Sequence, residues 1–129
     1  MHTVVDATNV REVAEFYRQL LNLRYRPGDE PPADGPDTAD WLVLTENNGT
    51  PVLAFQLTDA LPRTTWPDTA VPMQLHLDFT VPDREALTEA HERAMSLGAA
   101  LLLDRTDDPD EPLYVFSDPA GHPFCIFLG

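Results

Sequence analysis

Two stretches of this sequence open alike. The first reads His2-Thr3-Val4-Val5-Asp6-Ala7-Thr8-Asn9 and the second His76-Leu77-Asp78-Phe79-Thr80-Val81-Pro82-Asp83. Each begins with a histidine, continues as a strand-like run and ends on a residue suited to capping a helix. A helix pattern follows in both. Asn9, with Glu12 three positions on, makes a capping-box pattern ahead of an apolar stripe of Val13, Phe16, Tyr17, Leu20 and Leu21. Asp83, with Glu85 placed for the helix dipole, precedes a stripe of Ala86, Leu87, Ala90, Ala94 and Leu97, and Gly98 supplies the stop.

The second halves of the two segments match as well. Gly49-Thr50-Pro51-Val52-Leu53-Ala54-Phe55 and Gly121-His122-Pro123-Phe124-Cys125-Ile126-Phe127 share the pattern G-x-P-x-x-x-F. Each follows a strand candidate, Trp41 to Thr45 and Leu113 to Ser117, across a turn, Glu46 to Gly49 and Asp118 to Gly121. The histidines lie 74 residues apart and the glycines 72, so the register is nearly constant. Short strands after the helices are expected at Leu23 to Arg26 and Ala99 to Asp104. The predicted fold is α+β: two βαβββ modules, 1–58 and 74–129, joined by a linker, 59–73. Together they form a single domain whose curled mixed sheet surrounds a cleft.

Alternation along the expected strand Gln74 to Val81 separates two faces. Leu75, Leu77, Phe79 and Val81 form an apolar face that should pack on a helix. Gln74, His76, Asp78 and Thr80 form a polar face that meets solvent or a ligand. On the matching first strand His2, Val4 and Asp6 share one face. The expectation is therefore that His2, Asp6, His76 and Asp78 point into one concavity. On the last strands Leu53 shares a face with Phe55, and Cys125 with Phe127, and these four are expected to line the ligand site, with Trp41 and Trp66 adding apolar area. Trp66 sits in the linker, where so large a ring is expected to cover a pocket or a partner chain. His91 reads as a solvated residue of the second helix, and His122 as a structural residue of its turn.

Acidic side chains outnumber basic ones 22 to 8, for a formal charge of −14. Such a surface repels phosphate backbones, which argues against nucleic-acid binding, and attracts cations. Solubility alone also accounts for it. No apolar run approaches the roughly 20 residues that span a bilayer, and no basic stretch followed by an apolar run opens the chain. With one cysteine, Cys125, no intrachain disulfide can form. A cytoplasmic protein without a membrane partner is expected.

The residues Glu15-Phe16-Tyr17, Leu20-Leu21-Asn22, His76-Leu77-Asp78 and Asp118-Pro119-Ala120-Gly121-His122-Pro123-Phe124 resemble the vicinal oxygen chelate superfamily. That superfamily includes glyoxalases, bleomycin-resistance proteins and extradiol dioxygenases. The chain is most similar to glyoxalase-like proteins of unassigned activity. Asn22 stands where a glycine is usual. The resemblance covers essentially the whole chain and implies paired βαβββ modules around an active-site cleft, and a homodimer. In metal-dependent members the ligands come from the first and last strands of each module. Those positions match His2 and His76, and then Leu53 and Cys125, where a glutamate is usual. Leucine offers no donor. A thiolate from Cys125 would complete a set suited to zinc, although a lone cysteine in an apolar strand is more often a small buried hydrophobe. Asp6 or Asp78 offers another way to complete a site.

Two functions follow as expectations. The first is a glyoxalase or bleomycin-resistance-like protein that binds a small, partly aromatic or cationic molecule in its cleft, without a complete metal site or other cofactor. The second is a lyase, isomerase or dioxygenase using a divalent metal on His2 and His76. Without a metal, Asp78 would orient His76 as a hydrogen-bond donor or general base, which makes these two the candidate catalytic residues.

Overall fold

A computed structural model describes all of residues 1–129. It divides into two compact units, Met1–Leu61 and Pro62–Gly129, each with its own sheet and helix. Unit 1 runs β1 (Thr3–Ala7), α1 (Val10–Leu20), β2 (Arg24–Tyr25), β3 (Trp41–Thr45) and β4 (Pro51–Leu57). Unit 2 repeats the order with β5 (Leu77–Val81), α2 (Arg84–Ser96), β6 (Ala100–Asp104), β7 (Leu113–Ser117) and β8 (Pro123–Leu128). The strand orders are β1-β4-β3-β2 and β5-β8-β7-β6. In each sheet the first strand pairs parallel with the last, and the other pairings are antiparallel. The two βαβββ modules read from the repeat are present. No helix is long and apolar enough to cross a membrane.

Helix α1 starts because Asn9 accepts a hydrogen bond from the Glu12 backbone N–H at 3.2 Å. The reciprocal half of the capping box differs from expectation: the Glu12 carboxylate takes the Asn9 side-chain amide, at 3.4 Å. Val10, Val13, Ala14, Phe16 and Tyr17 are buried on its inner face. The helix ends at Leu21, and Asn22 takes φ 54°, the left-handed turn that a glycine usually supplies. Helix α2 is capped by Asp83, which accepts from the Ala86 N–H at 2.8 Å, and is closed by Gly98 at φ 112°.

The two cores use aromatic residues differently. In unit 1 the helix brings them: Tyr17 packs edge-on to Phe16 and stacks on Phe55 of β4, with ring centroids 5.9 Å apart. In unit 2 the sheet brings them: Phe79, Phe124, Phe116 and Tyr114 form a row with successive centroids 6.0, 5.1 and 5.7 Å apart. His91 of α2 stacks on Tyr114 at 4.6 Å. This corrects the reading of His91 as a solvated residue. It lies one turn beyond Leu87 and three residues before Ala94, both buried, so helical spacing carries it onto the packed stripe.

Two further expectations shift. The strand predicted from Gln74 starts only at Leu77. Gln74 takes φ 54°, and the Leu75 N–H bonds the Met73 carbonyl at 2.6 Å, so a tight turn precedes the strand. Leu75 is 62% exposed and does not join the helix-facing row. The second shift concerns β4. Leu44 pairs with Leu53 but Thr45 pairs with Pro51, which leaves Val52 as one extra residue on β4. The matching turn of unit 2 has no such insertion: Ser117 pairs with Pro123 and Phe116 with Phe124. The bulge moves the rest of β4 out of step with β8. Ala54, not Leu53, occupies the position of Cys125, because Ala54 lies opposite Val4 as Cys125 lies opposite Asp78. Leu53 and Phe55, read from the sequence as ligand-lining, are 3% and 0% exposed and belong to the core beneath α1.

The connector from Pro62 groups with unit 2. Arg63 donates to the carbonyls of Pro119 and Asp118 at 3.3 and 3.4 Å, and the Thr64 N–H reaches the Gly121 carbonyl at 3.3 Å. Asp118, fully buried, accepts from the backbone N–H groups of Ala120 and His122 at 2.9 and 3.0 Å and so shapes the β7–β8 turn. The structural reading of His122 agrees with these backbone bonds.

Candidate functional site

The face of the unit 2 sheet turned away from α2 gathers the strongest chemistry, with exposed residues on β5 and buried ones on β7 and β8. Along β5, Leu77, Phe79 and Val81 are half-buried while Asp78 and Thr80 are exposed. Parallel pairing with β8 sets Asp78 beside Cys125 and Thr80 beside Phe127, and β7 extends these rows with Val115 and Leu113. His76 lies one residue before β5 and keeps its alternation. Its Nε2 is 3.3 Å from the Asp78 Oδ1. One donor atom from each of His76, Asp78 and Cys125 falls within 4.8 Å of the other two. The sequence reading placed His76 and Asp78 together. The family resemblance set Cys125 with His76, and the β5–β8 register puts it beside Asp78.

The three side chains differ in setting. His76 and Asp78 are 39% and 52% exposed, whereas Cys125 is only 9% exposed. Burial pushes the Cys125 thiol up to about 11, and the charge and hydrogen bonding of Asp78, then the charge of Glu111, act in the same direction. At neutral pH the thiol keeps its proton. The arrangement therefore offers an imidazole beside a carboxylate, with a neutral thiol below and the half-buried Phe127 ring in the next row. Such a surface can hold a polar group by hydrogen bonds or, with the thiol deprotonated, supply nitrogen, oxygen and sulfur to one divalent ion.

Unit 1 places its sequence-predicted residues otherwise. His2 precedes β1 and is exposed, as are Val4 and Asp6, while Val5 and Ala7 are buried beneath them. Asp6 pairs with Gln56 and Gln56 with Trp41, so these three form one row across the sheet, with Trp41 37% exposed. The place corresponding to Cys125 is Ala54, which offers no donor. Trp66 is half-buried in the connector, where its backbone N–H donates to the Thr64 hydroxyl at 3.2 Å and Thr65 closes the loop by exchanging bonds with Val71.

Thr80 keeps its place on the polar face with Asp78. Leu113 and Glu111 were not singled out from the sequence: β7–β8 pairing sets Leu113 beside Phe127, and the charge of Glu111 acts on Cys125. A separate concavity of about 660 Å³ in unit 1, lined by residues that include Glu15, Arg18, Tyr25 and Thr45, contains none of the sequence-predicted site residues. Above the Tyr25 ring lies the Arg11 guanidinium, 4.9 Å from its centroid, and burial pushes the phenol up to about 12.

Comparison with known proteins agrees with the architecture. Residues 2–127 match the family described as glyoxalase-like domain. No curated protein matches the chain. Solved structures that share the fold include a mutant fosfomycin resistance protein FosX from Listeria monocytogenes, complexed with Mn(II) and 1S,2S-dihydroxypropylphosphonic acid. It is 18% identical with TM-score 0.70, over 100% of this chain and 90% of that one. FosX from Mesorhizobium loti is 13% identical with TM-score 0.68, over 100% and 90% of the two chains. A glyoxalase/bleomycin resistance protein/dioxygenase family enzyme from Burkholderia phytofirmans is 14% identical with TM-score 0.66, over 97% and 94%. With the repeated βαβββ units and a family match along nearly its whole length, the chain belongs to the glyoxalase-like domain family of the vicinal oxygen chelate superfamily.

Proposed function

We propose that this protein binds a small, partly aromatic or cationic molecule on the face of the unit 2 sheet turned away from α2. His76 and Asp78 are its polar anchors and Phe127 its apolar contact. The observation that carries the reading is the convergence of His76, Asp78 and Cys125 within 4.8 Å on a face otherwise lined by Thr80, Val115 and Phe127. An exposed carboxylate and a net charge of −14 favour a cationic ligand. In this reading Asp78 orients the imidazole, which donates or accepts a proton at the bound molecule. The likeness to bleomycin-resistance relatives makes sequestration of a drug-sized molecule one form of the function, in a cytoplasmic homodimer.

Calorimetric titration with a panel of aromatic amines and neutral aromatics tests this. Binding that weakens about tenfold or more in Asp78→Asn and His76→Ala supports it. Binding indifferent to both substitutions sinks it.

A second reading is a metal-dependent lyase, isomerase or dioxygenase. The same convergence favours it, because all three donor types are metal-competent. A divalent ion there would act as a Lewis acid on an oxygen of the substrate.

A further inference from the structure

We propose that His76, Asp78 and Cys125 form a three-ligand site for a thiophilic divalent cation of the zinc class, lying wholly within unit 2. This rests on the metal-dependent reading and names its ion and its ligands. They are not the set the family resemblance implies, which joins His2 to His76 and takes a glutamate from the last strand. Here the carboxylate comes from Asp78, two residues after the histidine on the same strand face. Sulfur from Cys125 stands where the glutamate is usual.

Geometry carries the inference. Zinc bonds of about 2.0–2.3 Å in a tetrahedron place ligand atoms about 3.3–3.8 Å from one another. The His76 Nε2 and Asp78 Oδ1 are already 3.3 Å apart, and none of the three donor atoms is farther than 4.8 Å from another. Closing the remaining gap falls to His76 and Asp78, whose exposed side chains are free to turn. Cys125 is the fixed member, held in β8 between β5 and β7. Three protein ligands leave one tetrahedral position open to a ligand or water, as catalytic zinc sites do.

Donor chemistry then selects the ion. A thiolate in the set favours zinc or cobalt over manganese or magnesium, which prefer oxygen. A thiol ligates as the thiolate, so binding expels its proton to solvent as the metal–sulfur bond forms, one proton per ion. The carboxylate of Asp78 offsets positive charge once the cation is bound.

The test is titration of the chelator-stripped full chain with Co(II) and Zn(II). One equivalent of Co(II) is expected to produce a thiolate-to-cobalt charge-transfer band in the near ultraviolet. Zinc should displace it, with one proton released per ion in weakly buffered solution. Cys125→Ser should abolish the band. Asp78→Asn and His76→Ala should weaken zinc binding at least tenfold, while His2→Ala leaves it unchanged. Circular dichroism confirms that each variant is folded. Cobalt binding without the sulfur band, or zinc binding equal in Cys125→Ser, overturns the proposal. So does a tighter fit for Mn(II) that depends on His2, although a metal-dependent enzyme would survive that last result. Binding of the small-molecule panel by stripped protein leaves the first reading standing, whatever the metal titration shows.

Discussion

Two copies of one βαβββ plan have diverged in opposite directions across their sheets. In unit 1 the helix carries the aromatic core, and the positions of Asp78 and Cys125 hold the exposed Val4 and the buried Ala54. In unit 2 the sheet carries the aromatic core, and the same two positions hold a carboxylate and a thiol beside an imidazole. Either arrangement fills the space beneath the helix. Only one leaves donor atoms close enough to act together. Duplication supplies the scaffold twice, the residues at these positions supply the chemistry, and a one-residue bulge at Val52 separates the register of β4 from that of β8.

Breaking that separation should have the largest effect. Deleting Val52 would bring β4 into step with β8 and turn Leu53 and Phe55 out of the α1 core, since a one-residue slip reverses every side chain. Losing a buried phenylalanine from its packing costs about 3–5 kcal/mol, and the deletion is expected to cost at least that in denaturant unfolding. Val52→Ala, at a half-buried position, should cost about 1 kcal/mol. A deletion no worse than the alanine variant would show that the bulge does not set the register.

This bulge also marks where the sequence stops being legible. The repeat, the caps at Asn9 and Asp83 and the strands Trp41–Thr45 and Leu113–Ser117 are local patterns, and local patterns survive in a linear reading. The equivalence of Leu53 with Cys125 needed a pairing register, which depends on how two strands separated by a turn align. Nothing in Pro51-Val52-Leu53 announces an extra residue. At the site, His76 with Asp78 followed from alternation on one strand and Cys125 from the family resemblance, whereas the adjacency of Cys125 to Asp78 needed the pairing across strands. His91 was misplaced for another reason: charged neighbours at Glu89, Glu92 and Arg93 drew attention from the spacing that sets it on the Leu87–Ala94 stripe.

The paired turns offer a smaller contrast. Gly49 and Gly121 occupy matching positions at φ 88° and 95°, but a Cβ at Gly49 meets nothing within 4 Å, whereas at Gly121 it falls 2.8 Å from the Arg63 Cγ. Gly49→Ala should cost about 1 kcal/mol from the left-handed backbone alone. Gly121→Ala should cost about 2 kcal/mol, adding the collision. Arg63→Ala should recover only part of the excess, because the Arg63 Cβ and Cα would still lie 3.0 and 3.2 Å from the new methyl. A double-mutant cycle reads that coupling, and equal costs at the two glycines would show that the Arg63 contact adds nothing.

The caps come next in size. Removing either Asn9 or Asp83 by alanine should cost about 1 kcal/mol. Asp83 should be the larger, because its charged side chain makes the shorter bond, 2.8 against 3.2 Å, and also faces the helix dipole. Amide exchange in the first turns of α1 and α2 reads the two ends separately. Faster opening at α1 would reverse the ranking.

The smallest expected effect tests the pairing of Asp78 with Cys125 directly. Burial is the chief cause of the raised thiol and Asp78 the next, so Asp78→Asn should lower the thiol from about 11 without returning it to the ordinary value near 9. Alkylation follows the thiolate fraction, so metal-free protein at pH 9 should react a few times faster after the substitution, yet slower than an unfolded control. The linked stability has a definite sign. Because folding raises this group's pKa, its contribution is complete below pH 9 and is lost as pH climbs toward 11, so Asp78→Asn, which lowers only the folded value, should make that loss smaller and end it at a lower pH. Unit 1 has no thiol at the corresponding position, where Ala54 faces Val4, and Asp6→Asn serves as the control that should leave the alkylation profile unmoved. If Asp78→Asn leaves the profile unmoved as well, carboxylate and thiol are not neighbours in solution, and the chemical difference between the two sheets narrows to two independent replacements, Asp78 for Val4 and Cys125 for Ala54, beside histidines that both units carry.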